Sequence, residues 1–477
     1  MLSVLCLCLL GLVYQTQAKA VFAHFMVANS ANFTRKHWEA DIGAAKAAHI
    51  DAFALNTGYG GANTTKLLND AFSVAGSLDF KLFLSLDYSA GGWPEDQVVA
   101  YLKNYTTHPA YFKDTPTNEP LVSTFEGYQS MGDWNNIKRK VNVSLIPDWS
   151  TKSPQELANN GVVDGLMSWD AWPWGNQPMN TTSDEDYLTA LKPHNKPYIM
   201  PVSPWFYTDM VRYDKNWVWQ GDDLWYERWQ QVVQLQPEFV EIITWNDFGE
   251  SHYIGPIHEN ELGIFEYGGS PFNYAEGFPH DGWRMFLPYV VEEYKSAGSG
   301  VVDDEGVVVW YRLTPGSACP AGQTTGNAES QGQDTMAPGK VLTDRVFFSA
   351  LLDSQAEVRV SIGGGANDTV QWSDSPKGGG KGLYHGNVEM DNRTGEVVVT
   401  VSRSGKFVAQ VLGEKITKDC PHKLTNWNAW VGSATTNGSN ASTSRASLDE
   451  SGAAMGSRVL TVLMQMMVVV WVGWFAV

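Results

Sequence analysis

The sequence predicts a (β/α)8 barrel of the TIM type followed by a C-terminal β-sandwich, and three observations carry that expectation. Short apolar runs alternate with amphipathic stretches between residues 20 and 300, eight times over. No glycine-rich phosphate or dinucleotide loop follows the first run, where Ala23-His24-Phe25-Met26 stands instead, which argues against an open nucleotide-binding sheet. From about residue 300 the texture changes to alternating strands broken by turns such as Gly363-Gly364-Gly365 and Gly378-Gly379-Gly380, the pattern of a sandwich.

The barrel strands are expected at 20–27, 52–57, 81–88, 121–125, 141–146, 163–168, 197–202 and 239–245. Helices are expected between them at 34–49, 64–76, 94–106, 129–140, 153–158, 184–191 and 222–235, with a closing one at 281–296. Start signals support several. Pro94 stands before Glu95 and Asp96, Thr182-Ser183 stands before Asp184 and Glu185, and Asp222-Asp223 opens another. Sandwich strands are expected at 307–313, 345–352, 357–362, 397–402 and 407–412. The division is 1–18 signal peptide, 19–299 barrel, 300–431 sandwich, 432–458 Ser/Thr/Asn-rich stalk, and 459–477 hydrophobic tail.

The ends and the composition point outside the cell. An apolar core followed by Gln15-Thr16-Gln17-Ala18 suits a secretory signal peptide. Cys6 and Cys8 would leave with it, so the mature chain keeps Cys319 and Cys420, an even pair that most simply forms one disulfide closing the C-terminal domain. Nine Asn-x-Ser/Thr sequons stand at Asn32, Asn63, Asn104, Asn142, Asn180, Asn367, Asn392, Asn437 and Asn440. The apolar tail has no Lys or Arg after it and follows Ser451-Gly452-Ala453-Ala454, which fits a glycosylphosphatidylinositol signal better than a membrane span. The net charge of −19 excludes a generic nucleic-acid binder. The 20 Trp make carbohydrate the first ligand class to consider, because indole faces stack on sugar rings.

In a barrel, the C-terminal strand ends converge on one cleft. The eighth run ends in Thr244-Trp245-Asn246-Asp247-Phe248-Gly249-Glu250-Ser251-His252. Acids crowded past a buried strand carry a desolvation cost that packing does not explain. The bland alternative is a capping box from Asp247 to Glu250. Other strand ends also supply polar or aromatic groups: His24, Asn56, Asp87, Asp148 with Trp149, Asp170 with Trp172, and Trp205. Capping explains one or two acids, not their recurrence beside indoles. Glycoside hydrolysis needs one carboxylic acid to protonate the leaving oxygen and one carboxylate to activate water or attack. The histidines show no paired spacing of the H-E-x-x-H kind, so no metal or other cofactor is expected.

The chain also resembles the fungal α-1,3-glucanases called mutanases, glycoside hydrolase family 71, over residues 19 to about 430. The likeness rests on the mature start from Lys19 to Val27, on Phe83-Leu84-Ser85-Leu86-Asp87, on Pro147-Asp148-Trp149 and on Thr244 to Ser251. It implies hydrolysis of α-1,3-linked glucan with inversion, without a metal, by acids matched here by Asp87, Asp247 and Glu250. Glu250 is expected as proton donor and Asp247 as base, with Gly249 allowing the turn between them and Asp87 tuning the pair or replacing Asp247. His24, Asn56, Asp148, Asp170, Asn246 and His252 are expected to grip sugar hydroxyls, and Trp149, Trp172, Trp205 and Trp245 to stack on rings. The expected protein is a monomeric, secreted, endo-acting enzyme lipid-anchored at the cell surface or wall. The alternatives are a non-catalytic glucan-binding surface protein and a barrel hydrolase for another glucan.

Overall fold

A computed structural model describes residues 18–436 except 90, 116, 297, 299, 366 and 367. The signal peptide, most of the stalk and the apolar tail lie outside the described residues, as do Asn367, Asn437 and Asn440. Among the described residues, no helix is long and apolar enough to cross a membrane.

The barrel strands are β1 (Ala20–Met26), β2 (Ala52–Gly58), β3 (Lys81–Asp87), β4 (Leu121–Phe125), β5 (Ser144–Leu145), β6 (Leu166–Met167), β7 (Tyr198–Val202) and β10 (Phe239–Ile242), all in parallel pairs. Between β7 and β10 an antiparallel hairpin intrudes, β8 (Tyr207–Met210) and β9 (Lys215–Val218). The sheet order is β5-β4-β3-β2-β1-β10-β7-β6. Closure is short: Asp164 N–H donates to Leu145 O at 2.8 Å, and the backbone of Asp148 bridges Phe125 on one side and Met167 on the other. Pro147 before it has no N–H to donate, which limits that ladder.

The interior strands are buried on both faces, which is why they read as unbroken apolar runs. The helices α1 (Arg35–Ala47), α2 (Thr64–Leu78), α3 (Glu95–Tyr105), α4 (Met131–Lys140), α5 (Pro154–Ala158), α6 (Thr182–Leu191) and α7 (Leu224–Leu235) follow as expected. The closing helix is split into a 3-10 turn, Asp281–Arg284, and α9 (Leu287–Lys295), with the short α8 (Ile264–Tyr267) before them.

The C-terminal region folds as two four-stranded antiparallel sheets, borne by β11 (Gly306–Tyr311), β13 (Arg345–Leu352), β14 (Glu357–Ile362), β15 (Asp368–Val370), β16 (Gly382–Glu389), β17 (Gly395–Arg403), β18 (Lys406–Ile416) and β19 (Trp430–Thr435). The remaining strand, β12 (Thr325–Gly326), instead pairs with β9 and extends the barrel's hairpin. The first sheet, β16-β13-β11-β19, is apolar on both faces for a physical reason. Val308 and Trp310 pack on the barrel core while Val307, Val309 and Tyr311 pack on the second sheet, the period-2 division of a strand buried twice. Trp310 Nε1 donates to Asp222 O at 2.7 Å across that interface, and Trp205 Nε1 to Trp427 O at 3.0 Å. Strand β19 extends the sheet past residue 431, so Gly432 to Thr435 are strand rather than stalk. Cys319 and Cys420 are joined, closing a stretch of 101 residues as expected.

Candidate active site

After β10 the chain folds back on itself: Thr244 N–H donates to His252 O at 2.9 Å and Ile254 N–H to Thr244 O at 3.0 Å. This loop carries Asp247, Glu250 and His252. Asp247 does cap the 3-10 turn Phe248–Glu250, accepting from Glu250 N–H at 3.1 Å. The reciprocal half of a capping box is missing. Asp247 N–H donates to Thr244 Oγ1 at 2.9 Å, leaving the Glu250 side chain free for other partners. Gly249 is needed for close approach rather than for the sharp turn expected of it. A Cβ there would sit 2.9 Å from Met210 Sδ, and the left-handed residue of the turn is Ser251, at φ 61°.

Glu250 is gripped on both oxygens. Oε1 meets Lys215 Nζ and Oε2 lies 2.9 Å from His252 Nε2. His252 Nδ1 lies 3.0 Å from Thr244 Oγ1. Since that hydroxyl already accepts from Asp247, its proton is available to His252 Nδ1, leaving Nε2 protonated to donate to Glu250. Burial alone would push the Glu250 carboxyl up, but Lys215 and His252 more than offset this and hold it well below the usual carboxylate range. Asp247 goes the other way. Burial, then the Glu250 charge, push its carboxyl up, only partly countered by His252 and Lys215. Burial would lower the Lys215 ammonium, yet Glu250, Asp247 and Asp87 together raise it.

Lys215 was not among the expected site residues. It comes from the hairpin, paired with Met210, 35 residues before Glu250. The available signal was the alternation Lys215, Trp217, Trp219, which places the first two on one face of β9, with Trp219 just past its end. That face lines the site: Trp172 and Phe206 stand 5.5 and 5.6 Å from the His252 ring, and Trp219 stacks on Trp172 at 5.0 Å. One atom each of Asp247, Glu250 and His252 lie within 4.8 Å of one another, close enough to crowd a cation. The Lys215 ammonium on Glu250 already supplies positive charge there.

The other expected residues divide into three groups. Asp87 is at the mouth, at the end of β3, accepting from Ser89 N–H at 2.8 Å and near enough to Lys215 to act on its charge. His24, Glu241 and Asp148 form a buried layer deeper in the barrel: His24 Nδ1 lies 2.7 Å from Glu241 Oε1, and the charges of Glu126 and Glu241 act on Asp148. Asp148 is 1% exposed, with one oxygen on Ser150 and the other without a partner among the described residues. Burial pushes its carboxyl up to about 8. Asn246 is spent on structure, bonded to Met26 N at 2.8 Å and Met26 O at 3.1 Å, and Asn56 is buried at the end of β2, while Asp170 is exposed.

The four indoles expected to stack on sugar are enclosed instead. Trp149, Trp205 and Trp245 have at most 1% of their surface exposed, and Trp172 has 7%. Their N–H groups are spent on Glu126 O, Trp427 O, Asp41 and Trp205 O respectively. A ring without a free face cannot carry a pyranose. Exposed aromatics do occur past the strand ends, Tyr59 after β2, Trp174 after β6 and Tyr213 in the hairpin turn, each about half exposed.

Comparison with known proteins gives a consistent outcome. The family described as glycosyl hydrolase family 71 matches residues 17–444. A mutanase of Penicillium rubens is 33% identical over 450 residues, covering 91% of this chain and 93% of that protein. The glucan endo-1,3-alpha-glucosidase agn1 of Schizosaccharomyces pombe is 33% identical over 87% of this chain and 94% of its own length. The ascus wall endo-1,3-alpha-glucanase of the same yeast is 30% identical over 304 residues, covering 59% of this chain and 68% of that protein.

Proposed function

The chain belongs to glycosyl hydrolase family 71, and from that premise we propose that it hydrolyses α-1,3-glucosidic bonds inside cell-wall glucan. The observation that carries the proposal is the unequal carboxyl pair on one loop, Glu250 held charged by Lys215 and His252, with Asp247 beside it pushed toward its protonated form. Two carboxyl groups driven apart in this way are an acid and a base. The names of the relatives select the α-1,3 linkage.

Asp247 gives its proton to the departing glycosidic oxygen, and ionised Glu250 takes a proton from the water whose oxygen bonds to the anomeric carbon. One water is consumed, and the proton on Glu250 returns to Asp247 through solvent before the next cycle. These roles reverse those expected from sequence. One oxygen of each carboxyl lies within 4.8 Å of the other, and inversion needs roughly 6.5–9.5 Å between the two carboxyl groups to seat the water. That room is gained when the pair parts on glucan entry, or Asp87 takes the water across the mouth. The first anomer released decides the outcome: β-product marks inversion and α-product retention.

The test is incubation of the purified ectodomain with insoluble α-1,3-glucan, reading product lengths. Oligosaccharides of several lengths support endo-cleavage. Binding to glucan without soluble products would instead support a non-catalytic surface protein.

We place the protein outside the cell, at the surface or wall. The Cys319–Cys420 bond suits an oxidising compartment. The six described sequon asparagines, Asn32, Asn63, Asn104, Asn142, Asn180 and Asn392, are all exposed and open to glycosylation. The anchor is tested by phospholipase treatment of intact cells. A protein that stays bound after treatment counts against it.

A further inference from the structure

We infer that Lys215, projected from the hairpin onto the β10 loop, is the positioning residue that keeps Glu250 ionised and so reserves the proton of the pair for Asp247. The inference rests on the acid and base reading above and adds what sets it. Two carboxyl groups within 4.8 Å compete for a proton, and within the loop His252 Nε2, 2.9 Å from Glu250 Oε2, leans the pair toward an ionised Glu250. Thr244 bonds to both sides of the loop, to Asp247 N–H and to His252. Lys215 adds a full positive charge to that side, its Nζ in contact with Glu250 Oε1.

The charged neighbours of the pair come from separate elements: Asp87 at the end of β3, Lys215 on β9, and His252 in the loop. Asp209 on β8 lies opposite Asn216 in the hairpin, and Tyr274 donates to Gly249 O at 2.6 Å. Among these, Lys215 is the group with a permanent positive charge in contact with the pair. Its side chain is 37% exposed and that of Glu250 14%, so the ammonium stands at the solvent side of the carboxylate, where it can neutralise charge without being sealed in.

The hairpin is an addition to the alternating barrel plan, and its anchoring is elaborate for a surface turn. Arg212 N–H donates to Gly268 O, Tyr274 OH meets Asp209 N–H, and β12 from the C-terminal region pairs with β9. The sandwich domain thereby braces the strand that carries Lys215, so the placement of one ammonium depends on both halves of the molecule.

The experiment compares pH profiles of kcat/KM for wild type, Lys215→Met and Lys215→Arg on α-1,3-glucan, with unfolding midpoints measured alongside. Removing a contacting charge shifts a carboxyl by about 1–3 pH units. Lys215→Met should therefore move the acidic limb up by at least about one unit, with about tenfold lower kcat/KM one unit below the wild-type optimum. Lys215→Arg should leave the limb in place. An unmoved limb in a folded Lys215→Met overturns the inference, as does an Arg variant whose limb moves like the Met variant's. If Lys215→Met does not fold, Lys215→Arg decides: a limb that moves up by about a unit despite the retained charge overturns the inference. Failure of the wild type to release products from α-1,3-glucan sinks the substrate reading instead, and the profiles can then be run on whichever glucan it cleaves.

Discussion

Glu250 and Asp148 are both carboxyl groups of the barrel, both largely withdrawn from water, and they ionise in opposite directions. Glu250 touches an ammonium and an imidazole and stays charged. Asp148 is buried with Ser150 on one oxygen, no partner on the other among the described residues, and the repulsion of Glu126 and Glu241; its carboxyl is pushed up to about 8. Burial by itself protonates a carboxylate. What separates a charged site from a neutral plug is the imported cation, which for Glu250 comes from the hairpin. Asp222 sits between the two: buried at the barrel–sandwich interface, it accepts from Thr343 N–H and Oγ1 and feels Arg312, and it is pushed up only to about 7.

The strongest way to break this comparison is to remove the charged member. Glu250→Gln should lower kcat on α-1,3-glucan by about 10²–10⁴-fold, the usual worth of a general base, with the unfolding midpoint nearly unchanged. Near-normal turnover in that variant would refute the role of Glu250.

Asp148→Asn probes the neutral member through stability. The folded carboxyl holds its proton up to about pH 8, whereas the unfolded chain releases it near about pH 4. Between those values the folded state binds more protons, so the wild type loses stability as pH rises, by up to about 1.4 kcal/mol per pH unit. Asp148→Asn should remove that slope. Unfolding curves at a series of pH values read it, and parallel pH dependence in the two proteins contradicts a neutral Asp148.

The smallest effect is expected at the intermediate case. Thr343→Val deletes one donor to Asp222 and should destabilise the protein by about 1–3 kcal/mol, more at pH 8 than at pH 5 because the ionised form loses more. Denaturant unfolding at the two pH values checks this, and an equal loss at both would show that the hydroxyl serves packing alone.

The barrel was legible because its strands are buried on both faces and so form unbroken apolar runs, and β13 and β14 fall on the expected bounds. The hairpin was not. Strands of four residues that carry Asp209, Lys215 and Asn216 give no apolar run to notice. β19 was hidden differently: Gly432, Ser433 and Thr435 resemble a stalk, but a Cβ at Gly282 would come within 3.2 Å of Gly432 O and 2.9 Å of Val431, a crowded seam that favours small residues.

Asp222 and Asp223 read as helix-start acids. Asp223 is the N-cap residue of α7, yet its carboxylate accepts from His385, and Asp222 turns to Thr343. For the β10 loop, sequence located both acids and even the Asp247 cap. It could not tell which acid holds the proton, because the deciding residue is Lys215, brought in by tertiary structure.

The most direct test of the acid and base assignment uses an α-1,3-linked glucose oligosaccharide carrying an α-fluoride at its reducing end, since fluoride leaves without a proton. Hydrolysis by Asp247→Asn and Glu250→Gln is compared on the fluoride and on glucan. The account predicts that Asp247→Asn loses glucan hydrolysis but retains fluoride hydrolysis, while Glu250→Gln loses both. Retained fluoride hydrolysis by Glu250→Gln, with loss in Asp247→Asn, would contradict it and restore the opposite assignment.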